Sequence, residues 1–398
     1  MVPPLSVVRL KPKTDARRLR LGFPWVYDNE LVTDRRTKAL APGSLAVLED
    51  GAREPLGLVA VNPGSRIFAR MLDADPAAEI GEAWFAAKFA AALDLRERLY
   101  AAPFYRLVHA EADGLPGVIV DRFGDVAVVQ PNAAWAETLL APLVAALVAV
   151  TGVSAVVKNA GGRARGLEGL DGETVVLRGQ VAGPVPVEMN GASYFADLLG
   201  GQKTGLYYDQ RDNHAFVARL ARGGRLLDVF AHVGGFALAA LAAGAESALA
   251  VDGSDPALAL ARRGAEAMGA GARFETRVSD AFAALETLGA DGAVFDTVVC
   301  DPPAFAPNRP ALDAGLRAYE KVARLAAPLV KDGGTLTLCS CSHAVDLTAF
   351  RAVSLRGVGR AGRRAQILRT GFAGADHPQH PELAESGYLK AVTLRLMA

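Results

Sequence analysis

Three cysteines occur in 398 residues, and one is placed for chemistry. Cys300 and Cys339 end or sit inside the apolar runs 297–300 and 335–339, where a free thiol behaves as a small hydrophobe. Cys341 follows the second run, between Ser340 and Ser342. A cysteine at a strand end beside a ligand crevice is a candidate nucleophile. Asp301-Pro302-Pro303 follows the first run. Its prolines fix φ and remove N–H groups, so the loop is stiff, and Asp301 is pushed away from helical geometry. Such a loop can hold a planar base next to an acid, at the sheet edge that carries Cys341.

A second cluster has the character of a nucleoside site. Asp228 and Phe230 lead into Gly234-Gly235-Phe236 where a predicted strand gives way to a predicted helix. Ligands bind at the carboxyl ends of such strands. The two glycines would let backbone approach a ligand without a Cβ clash. Asp252 closes the next strand and can accept from ribose hydroxyls. Asp280 and Ala281 follow the third strand, where a carboxylate and an N–H can address an adenine edge. The glycines do not follow G-x-G-x-x-G, so a pyrophosphate clamp is not expected. S-adenosylmethionine carries no phosphate and needs no such clamp.

These residues need a parallel sheet to hold them. From about residue 187 onward, strands alternate with helices, the mark of a doubly wound α/β domain. Strands are expected over 226–230, 247–251, 273–278, 297–300 and 335–339. Helices are expected over 236–243, 256–268, 311–330 and 345–358. The segments 365–368 and 388–396 have only loop between them and predict a closing hairpin. The first ~75 residues read as a small β-rich unit, with strands over 44–48 and 56–61 between turn signals. The stretch from about 76 to 180 adds helices over 82–100 and 139–150 and a paired strand over 126–130, and 182–186 reads as a linker.

Composition sets limits. Hydrophobic residues are 51% and charged residues 22%, so each unit can build a core and a mostly disordered chain is excluded. Three cysteines do not make a disulfide framework, and a reducing, cytoplasmic compartment is expected. No apolar run approaches ~18 residues and no leader is recognisable, so neither a membrane nor export is expected. Six histidines show no spacing for a metal site. With 43 basic and 43 acidic residues, the net charge is zero and basic patches must be local. One such patch holds Arg17, Arg18 and Arg20 just before Phe23 and Trp25, and is a candidate footprint for RNA phosphates. Another is the arginine run from Arg351 to Arg369.

Taken in order, these motifs resemble a family. The chain is similar to the bacterial large-subunit rRNA cytosine-5 methyltransferases of the RlmI type. The resemblance rests on Phe23-Pro24-Trp25-Val26, Asp113-Gly114-Leu115-Pro116-Gly117 and the stretch from Gly201 to Arg211. It rests further on Gly234-Gly235-Phe236, Asp301-Pro302-Pro303, Ser340-Cys341-Ser342, Asp376-His377-Pro378 and Gly387-Tyr388-Leu389-Lys390. It implies a multidomain chain: a β-rich PUA-like RNA-binding domain over 1–75, a central α/β domain over 76–183, and a Rossmann-like class I methyltransferase domain over 184–398. That last domain would have a mostly parallel sheet ending in an antiparallel hairpin.

The resemblance implies that Asp228, Gly234, Asp252 and Asp280 meet S-adenosylmethionine, with Gln210 and Arg211 closing its site. It implies that Lys203 and Thr204 face substrate or cofactor, and that Cys341 is the nucleophile with Asp301 as its acidic partner. Large-subunit rRNA is the implied partner, and a homodimer is compatible with the sequence. Two other readings stay open. One is methylation of a base nitrogen, which needs no cysteine. The other is a non-catalytic RNA-binding assembly factor on the same fold.

Overall fold

Short apolar runs broken by glycine and proline build the first sheet. The computed structural model describes residues 5–201 and 205–398, so Lys203 and Thr204 lie outside the described residues. The chain divides into two compact units. The first runs to Gly183 and also takes in residues 198–201 and Asp376–Ser386, and the second comprises Pro184–Asp197, Gly205–Ala375 and Gly387–Ala398.

In the first unit, β1 (Ser6–Arg9), β2 (Trp25–Tyr27), β3 (Ser44–Glu49), β4 (Pro55–Val61) and β5 (Ile67–Asp73) form a sheet in the order β1-β3-β4-β5-β2. Val8, Leu10, Val26, Leu48, Val59 and Phe68 fill its core. A second sheet follows, with β6 (Phe104–His109), β7 (Val118–Phe123), β8 (Val126–Pro131), β9 (Ala155–Lys158) and β10 (Val175–Arg178) in sequential order. The helices Glu82–Leu99 and Leu140–Thr151 cover it, burying Phe85, Phe89 and Leu143 with Trp135.

The late segment beginning at Asp376 belongs to this unit. Asp376 Oδ2 accepts from the Arg106 backbone N–H at 3.0 Å, and Asp376 Oδ1 lies 2.9 Å from His377 Nδ1. Arg96 makes a two-point ion pair with Asp113, and its Nη2 also reaches the Asp376 carbonyl at 3.0 Å. Sequence patterning gave no sign of this return, because a polar loop records nothing of its distant partners.

The second unit opens with a hairpin, β11 (Val185–Met189) and β12 (Ala192–Ala196), where the sequence reads as linker through residue 186. Pro186 is tolerated there because the hairpin has only two strands and so an open edge. Then come β13 (Arg225–Val229), β14 (Ser247–Asp252), β15 (Phe274–Val278), β16 (Phe295–Cys300), β17 (Val330–Ser340), β18 (Arg364–Gly371) and β19 (Lys390–Met397). Their order is β15-β14-β13-β16-β17-β19-β18. The first five are parallel, while β19 runs antiparallel to both β17 and β18. The order reverses between β13 and β16, and the crevice beyond their carboxyl ends is where such sheets take ligands. Helices Leu312–Ala326 and Leu347–Arg360 pack on the β16–β17 side, around a core of Val298, Tyr319, Leu336, Phe350 and Leu394. The expected helix over 311–330 ends at Ala326, and Val330 already begins β17. No helix among the described residues is long and apolar enough to cross a membrane.

Candidate active site

The turn after β13 is held in an unusual backbone. Phe230 has φ +65°, His232 +50° and Gly234 +80°, so three of five residues are left-handed and only one is glycine. Such conformations cost a non-glycine residue free energy and persist when neighbours over-determine them. Here the Ala231 N–H donates to the Val251 carbonyl at 3.0 Å, and the His232 N–H donates to Asp252 Oδ2 at 2.8 Å. Asp252 Oδ1 accepts from the Ser254 N–H at 2.8 Å. One half-buried carboxylate therefore pins the turns after β13 and β14 together. The Tyr207 ring packs on His232, with centroids 5.0 Å apart.

Asp228 is fully buried. Its Oδ2 accepts from the Ala237 N–H in the first turn of the helix Gly235–Ala242 at 3.0 Å. Its Oδ1 has no hydrogen-bond partner among the described residues. Burial, reinforced by the Asp252 charge and opposed by the Ala237 N–H, pushes its pKa up to about 7. An unsatisfied buried carboxylate oxygen at the head of this crevice suits a ligand with N–H donors.

The glycines have a different reason from the one their motif suggests. A Cβ on Gly234 would lie 3.1 Å from the Ala261 Cβ and 3.2 Å from Leu238 Cγ. One on Gly235 would lie 2.7 Å from His214 Nε2. What fills the space is protein, so Gly235 admits His214 rather than ligand. Phe236 is likewise buried, edge-on to the His214 ring at 4.4 Å. Asp280 is exposed and its Oδ1 caps the helix Ala281–Ala290 through the Ala283 N–H at 3.0 Å, with Ala281 buried behind it.

The second half of the site lies at the ends of β16 and β17. Gln210 Nε2 donates to Asp301 Oδ2 at 2.9 Å, and Asn213 Nδ2 donates to Gln210 Oε1 at 2.7 Å. Gln210, expected to help close the cofactor site, thus orients the Asp301 carboxyl. Arg211 begins the helix Arg211–Leu220, largely buried, with its guanidinium 5.6 Å from the Tyr208 ring centroid.

Cys341 is half-buried, whereas Cys300 and Cys339 are fully buried. Burial pushes both of those thiols well up. The serines beside Cys341 are committed. The Ser342 hydroxyl accepts from the Ala306 N–H at 3.1 Å and pairs with the Tyr319 hydroxyl at 2.8 Å. The Ser340 hydroxyl donates to Tyr319 at 2.9 Å. Tyr319 also packs on Phe305, centroids 4.9 Å apart. Sequence reasoning missed Tyr319 and Asn213, and gave Lys390 a place in a motif but no role; Tyr319 lies in an ordinary amphipathic helix, and no local signal marks it.

The expected RNA-contact residues are partly engaged. Arg18 pairs with Glu30 and lies over the Phe23 ring, and Arg20 pairs with Asp50 at 2.7 Å. Arg17 is exposed. Trp25 Nε1 donates to Glu111 at 2.8 Å, which ties the first sheet to the second. The later arginine run has structural work. Arg356 and Arg360 pair with Glu320, Arg363 donates to the carbonyls of Ala327 and Val330, and Arg369 lies 4.7 Å over the Phe216 ring.

The Rossmann-like sheet carries both halves of this site at the carboxyl ends of its strands, where such sheets take ligands. A PUA-like domain model matches residues 8–74, and a model of S-adenosylmethionine-dependent methyltransferases matches residues 149–391. Among curated proteins, Ribosomal RNA large subunit methyltransferase I of Cronobacter sakazakii is 32% identical, covering 99% of this chain and 100% of the relative. Among solved structures, a SAM-dependent methyltransferase from Streptococcus mutans superposes with a TM-score of 0.81 at 19% identity, over 98% of this chain and 100% of that one. A methyltransferase solved with SAH gives 0.81 at 20% identity, over 98% and 99%. The chain belongs to the S-adenosylmethionine-dependent methyltransferases and, within them, to the family of the Cronobacter relative. Its cofactor is S-adenosylmethionine.

Proposed function

We propose that this protein methylates C5 of a cytosine in large-subunit ribosomal RNA, through a covalent adduct with Cys341. The observation that carries the reading is the placement of one solvent-reached cysteine on a turn bonded, through Ser342, to the loop that holds Asp301. The name of the full-length relatives supports ribosomal RNA as substrate.

Asp228 and Asp252 would hold the amino-acid and ribose ends of S-adenosylmethionine, and Asp280 with Ala281 its adenine. Bound there, the cofactor supplies an electrophilic methyl group on a sulfonium. Cytosine C5 is a poor nucleophile, and this chain's residues must change that. The Cys341 thiolate adds to C6, leaving an enamine that is nucleophilic at C5. Asp301, oriented by Gln210, hydrogen-bonds or protonates N3 and stabilises the charge developing there. After C5 is methylated, loss of its proton lets the C6–S bond break and frees Cys341. The base must be unstacked first, at a cost of a few kcal/mol that is smaller in a loop. Arg17, with Arg18, Arg20 and Lys203, would contact RNA phosphates. Nitrogen methylation needs no cysteine, so the position of Cys341 on this turn favours this reading over it.

The test is nucleoside mass spectrometry of ribosomal RNA from a deletion strain, after incubation with the enzyme and cofactor. 5-Methylcytidine is the expected product. A methyl group on a base nitrogen would overturn the reading.

A further inference from the structure

Lys390 begins β19, opposite Ser340 in the antiparallel register of β17 and β19. Its side chain is buried, at 4% exposure. Its Nζ donates to the Ser342 carbonyl at 2.7 Å and to the Val345 carbonyl at 2.8 Å. The ammonium thus sits under the turn that starts at Cys341 and holds both ends of it. Neutral donors could satisfy two carbonyls, and burying an ammonium is expensive unless a negative partner repays it.

We infer that Lys390 is a positioning residue for Cys341, fixing its turn and supplying the positive charge that favours the thiolate. The inference rests on the reading of Cys341 as nucleophile. Burial lowers the Lys390 pKa, and negative charge at Cys341, then at Asp346, raises it. The attraction is mutual. Tyr207 and Tyr319 also lie within electrostatic reach of Cys341, but burial raises both phenols and keeps them neutral. Among the described residues, Asp301 on the neighbouring loop and His343 on the turn itself are further titratable groups close to Cys341 in the fold. Among these groups Lys390 is the one that bonds both ends of the turn.

The test is the rate of Cys341 alkylation by iodoacetamide against pH, read by peptide mass spectrometry. Buried Cys300 and Cys339 provide the internal background. In Lys390→Met the midpoint should rise by about one pH unit, a roughly tenfold loss of thiolate below it. The kcat should fall with the KM for S-adenosylmethionine unchanged. Asp346→Asn covers the case in which Lys390→Met does not fold. Asp346 caps the helix Leu347–Arg360 through the Ala349 N–H at 2.7 Å, and asparagine caps as well. Removing that negative charge should lower the midpoint. A folded Lys390→Met with the wild-type midpoint overturns the inference, as does an unchanged or raised midpoint in Asp346→Asn. Alkylation does not depend on turnover, so an active Cys341→Ala would sink the nucleophile reading separately.

Discussion

The Ser342 hydroxyl accepts a hydrogen bond from the Ala306 N–H at 3.1 Å, and that bond joins the turn carrying Cys341 to the loop carrying Asp301. Tyr319 completes the brace, since its hydroxyl meets both Ser342 and Ser340. All four groups are buried, so water does not compete for these bonds. The serines of Ser340-Cys341-Ser342 act on their neighbours rather than on substrate. They set where the sulfur stands.

Tyr319→Phe keeps the ring and removes the brace. Two buried serine hydroxyls lose a partner, which costs about 1–3 kcal/mol of stability. The kcat should fall while affinity for S-adenosylmethionine holds, because Asp228 and Asp252 lie on other strands. Urea unfolding and isothermal titration on the same preparation check both halves. A parallel loss of cofactor affinity would show that Tyr319 supports the whole domain rather than the reaction loops.

Asp252→Ala should weaken cofactor binding by roughly 1.5–3 kcal/mol, the scale of a charged hydrogen bond. It also releases the His232 N–H that helps hold a left-handed residue. The fall in affinity should therefore come with a more mobile turn, seen as faster amide exchange at Ala231 and His232. Unchanged affinity by calorimetry would remove Asp252 from the cofactor site.

Stability should decline with acid partly through His214. Burial, aided by the Arg211 charge, holds its pKa at about 3, against an ordinary 6.5. The folded state then binds fewer protons than the unfolded one between those values. Folding stability from this group is complete above pH 6.5 and falls as pH drops toward 3, by about 1 kcal/mol per pH unit. His214→Leu should flatten the slope of unfolding free energy over that range. An identical slope in the variant would mean that His214 takes up its proton while folded.

Much of the fold was legible because the strands after residue 187 are short, apolar and regularly separated by helices. The closing hairpin was legible too, from the lack of a helix between its strands. The long β17 was read only over 335–339, since Lys331-Asp332-Gly333-Gly334 falls at a register shift between the paired Val330 and Thr335, with Gly333 at φ +74°. At the site, Cys341, Asp301 and Asp252 were visible by type and position. Gly235 was visible, but a motif does not reveal that a histidine occupies the space beside it. Tyr319 and Asn213 were invisible, since Tyr319 acts on serines more than twenty residues away and Asn213 acts through Gln210 on Asp301, about ninety residues away in sequence. The arginines after Arg351 read as a basic patch, yet tertiary packing gives most of them carboxylate or carbonyl partners.

The covalent step through Cys341 is tested most directly by trapping it. An RNA carrying 5-fluorocytosine at the target cannot lose its C5 substituent as a proton, so the C6–S bond cannot break after methyl transfer. Wild-type protein with S-adenosylmethionine should give a complex that survives denaturing electrophoresis and maps to the peptide containing Cys341, and Cys341→Ala should give none. Methylation of unmodified RNA without any trapped complex, or by Cys341→Ala at a rate near wild type, would contradict the account.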